Sequence, residues 1–299
     1  MRNKLSVIGY KLKIFMKKFL GQHFLKNLAA IEQIISALNI QPNDWIIEIG
    51  PGKGALTTPL VAACQIMGAK LIAIEKDAGL VEQLRSLPTG QAGTTVKQFE
   101  LINSSTVQLI HGDALKILPE VVTRYSLLTT NYKLVGNIPY YITGHLLRLI
   151  GELKQKPERV VLMIQKEVAE RLTAKPPKTN LLSAATQFWA QPQLLFTLPA
   201  TDFDPPPKVK SAVISLTPLS PDYYGLRTTP LRTPNYYSFI HAAFKQPRKT
   251  LANNLLAANP AKNRKEVEDL LIKLGFQPFV RAQNLSVEEL IRLSREFPL

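Results

Sequence analysis

The sequence predicts an α/β domain built on a mainly parallel sheet, followed by a small all-helical domain. Three observations predict it. Short apolar runs alternate with longer amphipathic stretches between residues 31 and 164, a proline-rich zone follows, and residues 234–299 carry only helical periodicity.

Taken in order, Ile31, Ile34, Ile35 and Leu38 have helical spacing, and Gln41-Pro42-Asn43 then turns the chain. Strands are expected at Trp45–Ile49, Leu71–Ile74, Val107–Ile110, Leu134–Val135 and Val160–Ile164, short apolar runs of the kind a parallel sheet buries on both faces. Pro88–Ser105 is rich in Gly, Thr and Gln with little periodicity, and reads as a surface insertion. Beyond Thr173 come Pro176-Pro177 and Pro205-Pro206-Pro207, the second run flanked by strand candidates at Leu194–Leu198 and Ala212–Leu216. Prolines at 218, 221, 230 and 234 mark a linker. Helical patterns over Tyr237–Phe244, Leu251–Ala257, Val267–Leu274 and Val287–Leu293 complete the chain. The expected boundaries are a basic arm over 1–17, an α/β domain over 18–217, a linker over 218–233 and a helical domain over 234–299.

Composition excludes several classes. With 45% hydrophobic and 20% charged residues in 299, neither wholesale disorder nor a membrane bundle fits, and no apolar stretch is long enough to span a bilayer. One cysteine, Cys64, allows no intramolecular disulfide or multi-cysteine metal site, and the four histidines lack metal-ligand spacing, so no metal is expected. A reducing cytoplasm is the expected compartment.

Charge points to the partner. Lys and Arg total 37 against 22 acids, a net +15, and residues 31–199 hold only +3 of it. A field of this size attracts polyanions, nucleic acid first; solubility or an anionic membrane surface is the plainer alternative. Lysines interrupt every apolar run in residues 1–18, which argues for a flexible basic arm and against a secretory segment, with Met16 a second candidate start.

The run Glu48-Ile49-Gly50-Pro51-Gly52-Lys53-Gly54 closes the first strand. Glycines there let the backbone turn tightly and approach a ligand, although such turns also occur for structural reasons alone. The spacing is E-x-G-x-G-x-G, and Glu48 stands where a pyrophosphate would need donors, so a cationic ligand suits the loop better. Glu75 ends the second strand, where an acid commonly accepts from ribose hydroxyls, and Asp77 reads as a helix cap. Asp113 and Ala114 follow the third strand, and a carboxylate there would accept from an adenine amino group. Singly each acid is more often a solvated cap; together they line the carboxyl edge where open α/β sheets bind ligands. After the fourth strand, Asn137-Ile138-Pro139-Tyr140 offers two acceptors for an exocyclic amine and a ring for stacking, against the plainer reading of a proline-stiffened turn with core tyrosines.

These residues resemble the bacterial small-subunit ribosomal RNA adenine dimethyltransferases, relatives of the eukaryotic dimethyladenosine transferases and of the erythromycin-resistance methylases. The likeness runs from about Lys18 to Ser294 through LGQHFL, EIGPGKGALT, HGDAL, NIPYYIT, QKEVAERL, PPPKVKSAV, FKQPRKTLANNL and RAQNLSVEEL. It implies a class I methyltransferase domain with a Rossmann-like, mainly parallel seven-stranded sheet. It implies S-adenosylmethionine as donor and conversion of two adjacent adenosines near the 3′ end of small-subunit rRNA to N6,N6-dimethyladenosine. Cofactor contacts carried over by motif fall on Gln22, His23, Leu25, Glu48, Gly50, Gly52, Gly54, Glu75, Asp113, Ala114 and Asn137. The catalytic turn falls on Asn137, Ile138, Pro139 and Tyr140, with Phe203 expected on the opposite face of the target base. Lys17, Lys18, Arg248 and Lys249 are expected to hold rRNA within a small-subunit particle, with no membrane involved and the protein acting as a monomer. A large-subunit resistance methylase and a non-catalytic rRNA-binding assembly factor are the alternatives.

The pattern is broken in places. Thr179-Asn180-Leu181-Leu182-Ser183 stands where relatives show a Tyr-Gly-Arg-Leu-Ser-like stretch, which puts an RNA contact there in doubt. Lys210 occupies a position often acidic and Pro247 one often basic.

Overall fold

The structure, a computed structural model, describes residues 23–85, 106–127, 130–220, 223–224 and 233–297. The arm over 1–17, Lys17, Lys18, Gln22 and the Pro88–Ser105 insertion lie outside the described residues, as does most of the expected linker. The chain divides into two units. The first holds the described residues to Ala169 together with Leu194–Leu216, and the second holds Glu170–Gln193 and the residues from Thr217 onward.

In chain order the elements are β1 (Phe24–Leu25), α1 (Leu28–Leu38), β2 (Trp45–Ile49), α2 (Thr57–Met67), β3 (Lys70–Glu75), α3 (Ala78–Arg85), β4 (Val107–His111), α4 (Ala114–Arg124), β5 (Tyr132–Asn137), α5 (Thr143–Glu152), β6 (Arg159–Gln165) and α6 (Lys166–Leu172). Then follow α7 (Leu181–Gln187), β7 (Ala190–Leu198), β8 (Phe203–Asp204) and β9 (Ser211–Pro218). Seven strands form one sheet in the order β4-β3-β2-β5-β6-β9-β7. Pairing is parallel from β4 to β6 and antiparallel between β6 and β9.

Each expected strand exists, and several run beyond their apolar stretch. Ladder pairing, which side-chain periodicity does not report, carries β3 out to Glu75, opposite His111, and β5 out to Asn137, opposite Met163. Both polar residues are thereby fixed to the carboxyl edge of the sheet. The first three sheet strands step outward and β5 returns to the other side of β2, so the switch point lies between the ends of β2 and β5.

Helix α1 shows how local sequence serves this layer. The Asn27 side chain accepts from Ala30 N at 3.1 Å to start it, and Asn39, at φ 50°, ends it in the left-handed conformation. Ile31, Ile34 and Leu38 on its inner face join Ile46, Leu71 and Val135 in the core. Each such side chain contributes about 1.5–3 kcal/mol when fully buried.

At the amino edge of the sheet, opposite the switch-point crevice, Lys133 on β5 is buried. Its Nζ donates to Asp44 Oδ2 and to the Asn39 carbonyl, each at 2.6 Å. Both charged side chains are almost wholly buried, at 1% and 4% exposure. The Gln41 backbone amide also donates to Asp44 Oδ2, at 2.7 Å, and Glu158 Oε2 lies 3.9 Å from the ammonium, so the buried pair is supported by further partners at both ends.

The second unit is helical, with α8 (Thr233–Ala243), α9 (Leu251–Ala258), α10 (Arg264–Lys273) and α11 (Val287–Glu296). Tyr236, Phe239, Leu251, Leu271, Leu290 and Phe297 are among its buried core. Capping boxes start α10, through Asn263 and Glu266, and α11, through Ser286 and Glu289. Residues 170–193, expected within the first domain, belong here, because Ala184 on α7 is part of this core and its carbonyl accepts from the Tyr236 hydroxyl at 3.1 Å. The stretch that departs from the resemblance is what starts α7. Asn180 Oδ1 accepts from Leu182 N and Ser183 N, and Ser183 Oγ accepts from Asn180 N.

Candidate active site

At the switch point the first unit encloses a cavity of about 440 Å³. The loop after β2 forms one wall. Gly52 sits at φ 61°, where any side chain would be strained, and a Cβ there would also crowd the Phe24 ring at 3.0 Å. Its amide donates to Glu75 Oε2 at 3.0 Å, and Asp77 N donates to Glu75 Oε1 at 2.8 Å. Glu75 thus ties the glycine loop to the end of β3 while its remaining lone pairs stay available to a ligand. Asp77 caps α3 as expected, accepting from Gly79 N and Leu80 N.

Glu48 lies under the same loop, at 1% exposure. Burial pushes its carboxyl up to about 8, and the Glu75 carboxylate adds to it. Glu48 Oε2 has no hydrogen-bond partner among the described residues, and the Thr57 hydroxyl is likewise unsatisfied. An orphaned carboxylate oxygen on the wall of a cavity fits a cationic ligand or a donor.

Asp113 has two duties. Oδ1 caps α4 by accepting from Leu115 N at 3.1 Å, and Oδ2 is paired with Lys76 Nζ at 2.8 Å. The hydrogen bond from Lys76 is the main cause that holds Asp113 below the usual carboxylate range. Any ligand amino group would therefore share this carboxylate with a lysine, a neighbour the sequence reading did not weigh.

The Asn137 turn is locked from three sides. A Cβ at Gly136 would stand 2.6 Å from the Ile49 carbonyl, so only glycine lets β5 end this close to β2. Asn137 Nδ2 donates to the His23 backbone carbonyl at 2.8 Å. A carbonyl can only accept, so this bond sets the orientation of the amide and leaves Oδ1 as the end that can accept from a ligand. The His23 ring stacks beside Tyr140 at 6.0 Å and 30°, and its Nδ1–H donates to the Pro205 carbonyl at 2.8 Å. The Tyr140 hydroxyl meets Ser211 Oγ at 2.7 Å. Burial raises the Tyr140 phenol, and the Ser211 contact lowers it in part.

Of the expected cofactor and catalytic residues that are described, His23, Leu25, Glu48, Gly50, Gly52, Glu75, Asp113, Ala114, Asn137, Ile138, Pro139 and Tyr140 all line the cavity. Two do not. Gly54 closes the loop instead, its amide donating to the Pro51 carbonyl at 2.9 Å. Phe203, at 2% exposure, is packed in the core with Leu25 and Leu198 and pairs with Leu25 in the β1–β8 ladder. Arg248 and Lys249 are exposed in the second unit, on a turn pinned by Asn254, whose side chain bonds to Ala243 O and to both backbone groups of Gln246. Lys76 and Ser211 were missed; Lys76 adjoins a motif residue, whereas Ser211 lies 71 residues from its partner with no local signal. Among the described residues no group of three or more His, Cys, Asp or Glu could hold a metal ion.

Comparison with known proteins names the family. A model described as ribosomal RNA adenine dimethylase matches residues 15–297. The chain belongs to that family. It is 35% identical over 290 residues to the ribosomal RNA small subunit methyltransferase A of Dehalococcoides mccartyi, covering 97% of this chain and 90% of that one. It is 36% identical to the protein of the same name from Lactobacillus acidophilus, covering 99% and 96%. Among solved structures, a dimethyladenosine transferase from Plasmodium falciparum superposes with a TM-score of 0.69 at 24% identity, over 92% of this chain and 97% of that chain. The 23S rRNA methyltransferase ErmE does so with a TM-score of 0.61 at 22% identity, over 92% and 99%. These last two establish the methyltransferase fold, as the sequence resemblance implied.

Proposed function

We propose that this member of the family transfers methyl groups from S-adenosylmethionine to two adjacent adenosines near the 3′ end of small-subunit rRNA, giving N6,N6-dimethyladenosine. The observation that carries the reading is the Asn137 amide, oriented by the His23 carbonyl in a cavity that is also lined by Glu48, whose buried Oε2 has no partner among the described residues. The cofactor supplies an electrophilic methyl group on a sulfonium centre. Its fit is supported by the chemistry of the wall: Glu48 Oε2 suits a cation, Glu75 suits ribose hydroxyls, and Asp113 suits an adenine amine.

The chain's own part is positioning. An adenine amino nitrogen is a weak nucleophile because its lone pair is delocalised into the ring. Asn137 Oδ1 and the Ile138 carbonyl would each accept one amino hydrogen, favouring a more tetrahedral nitrogen without a dedicated general base. Tyr140 would stack on the extruded base and offset part of the cost of unstacking it. The same reading takes the protein to act as a monomer on a small-subunit particle in the cytoplasm, with Lys17, Lys18, Arg248 and Lys249 on rRNA phosphates.

The test is transfer of labelled methyl groups to small-subunit particles lacking the modification, with the products located by mass spectrometry. Two dimethylated adjacent adenosines are expected, and Asn137→Ala at saturating donor should abolish transfer while particle binding persists. Methylation of large-subunit rRNA in their place would assign the chain to the resistance type, and binding without transfer would make it an assembly factor.

A further inference from the structure

Tyr140 and Tyr141 are consecutive in the single 3-10 turn Tyr140–Ile142. Three residues per turn sends successive side chains about 120° apart. The first goes to Ser211, while the second stays 57% exposed, yet both line the cavity. The turn that carries them is fixed, with Ile142 N donating to the Pro139 carbonyl at 3.1 Å and Thr143 Oγ1 to the Tyr140 carbonyl at 3.0 Å.

A lone exposed aromatic on open surface needs no explanation. This one lines a cavity that a lysine also lines. That lysine is Lys76, and its ammonium is paired with the Asp113 carboxylate at 2.8 Å. An ammonium has three N–H donors, and Asp113 uses one. A ring face next to spare cationic donors is what a nucleotide offers contacts for, base to ring and phosphate to ammonium.

We propose that Tyr141 is the stacking platform for the purine that adjoins the extruded adenosine in the RNA strand. The inference rests on the function proposed above and deepens it. When one base leaves the strand, its neighbour loses a stacking partner, and the bare face arrives at the mouth of the cavity where Tyr141 is held. With two adjacent target adenosines, each serves as that neighbour while the other is inside.

The experiment uses the full chain with S-adenosylhomocysteine and a small-subunit rRNA hairpin carrying 2-aminopurine next to the target adenosine. Binding should quench the fluorescence; Tyr141→Ala should lose the quench and Tyr141→Phe should keep it. On unmethylated particles, Tyr141→Ala should lower kcat/KM by about 10- to 100-fold, the range of one lost base–aromatic stack, with Tyr141→Phe near the unsubstituted value and an unchanged thermal unfolding midpoint as the check on folding. An undiminished quench in Tyr141→Ala, or an unchanged kcat/KM, overturns the platform. If the unsubstituted enzyme methylates no small-subunit particle, the functional reading is what fails, and the fluorescence still decides whether Tyr141 stacks a base.

Discussion

The Tyr140 hydroxyl and Ser211 Oγ lie 2.7 Å apart, joining the turn after β5 to the first residue of β9. Ser211 is wholly buried and sits opposite Gln165 in the β6–β9 ladder, so it has no freedom to follow a moving tyrosine. The hydroxyl pair therefore holds the ring in one plane. Removing either partner should lower methyl transfer about fivefold, as expected for one net hydrogen bond. Tyr140→Phe and Ser211→Ala combined should cost no more than the worse single variant, because they break the same contact. Additive losses in that double-mutant cycle would show that Ser211 acts elsewhere.

Glu48 predicts two pH effects with one sign. Its carboxyl rises from 4.5 to about 8 in the folded chain. The folded state therefore holds more protons than the unfolded one between those values, and stability falls as pH rises across that window. Glu48→Gln should flatten the dependence of Tm on pH and stabilise the ligand-free protein at pH 8, by on the order of a few kcal/mol at most. At pH 7 roughly nine in ten molecules carry the proton, so binding a cationic ligand against this wall should release close to one proton. Calorimetry in buffers of different ionisation enthalpy reads that number; zero release would place the ligand's charge away from Glu48.

Glu75→Ala would remove the proposed ribose acceptor and also strand the amides of Gly52 and Asp77, both of which it satisfies. Donor affinity should fall by about 1.5–3 kcal/mol, the range for a charge-assisted hydrogen bond, with a measurable loss of Tm. Unchanged affinity in titration calorimetry would exclude Glu75 from the ligand site.

Lys133→Met should destabilise the first unit by about 3–5 kcal/mol by leaving Asp44 charged and buried without its partner. Adding Asp44→Leu should recover much of that loss, since the pair is replaced by apolar groups at both ends. Thermal denaturation of the single and double variants checks it; equal losses in both would mean that the pair is not what couples these positions.

Arg248→Ala with Lys249→Ala should weaken binding to the small-subunit particle and reduce the salt slope by up to about 1 per lost phosphate contact. The turn itself should survive, since Asn254 holds it through Ala243 and Gln246 and neither basic side chain takes part. Binding measured across salt concentrations with an unchanged slope would assign the RNA grip to other residues.

What the sequence determined by itself was the periodic part of the molecule and its local motifs. Apolar runs placed all seven strands of the main sheet; the reason is clearest for the central strands, since a strand buried on both faces needs an unbroken apolar stretch whatever its neighbours are. Glu48, Glu75, Asp113 and Asn137 were legible because each stands just where such a run ends, which in a parallel sheet is the ligand edge. Tertiary structure decided the rest, through contacts between residues far apart in the chain. Only pairing with Leu25 in the β1–β8 ladder sends Phe203 into the core, only the approach of β9 puts Ser211 under Tyr140, and only the packing of Ala184 with Tyr236 draws α7 into the helical unit. Lys76 shows the same limit at short range: its place beside Asp113 depends on parallel β3 and β4 ending level with each other, Glu75 opposite His111, and a single strand's sequence carries no record of that register.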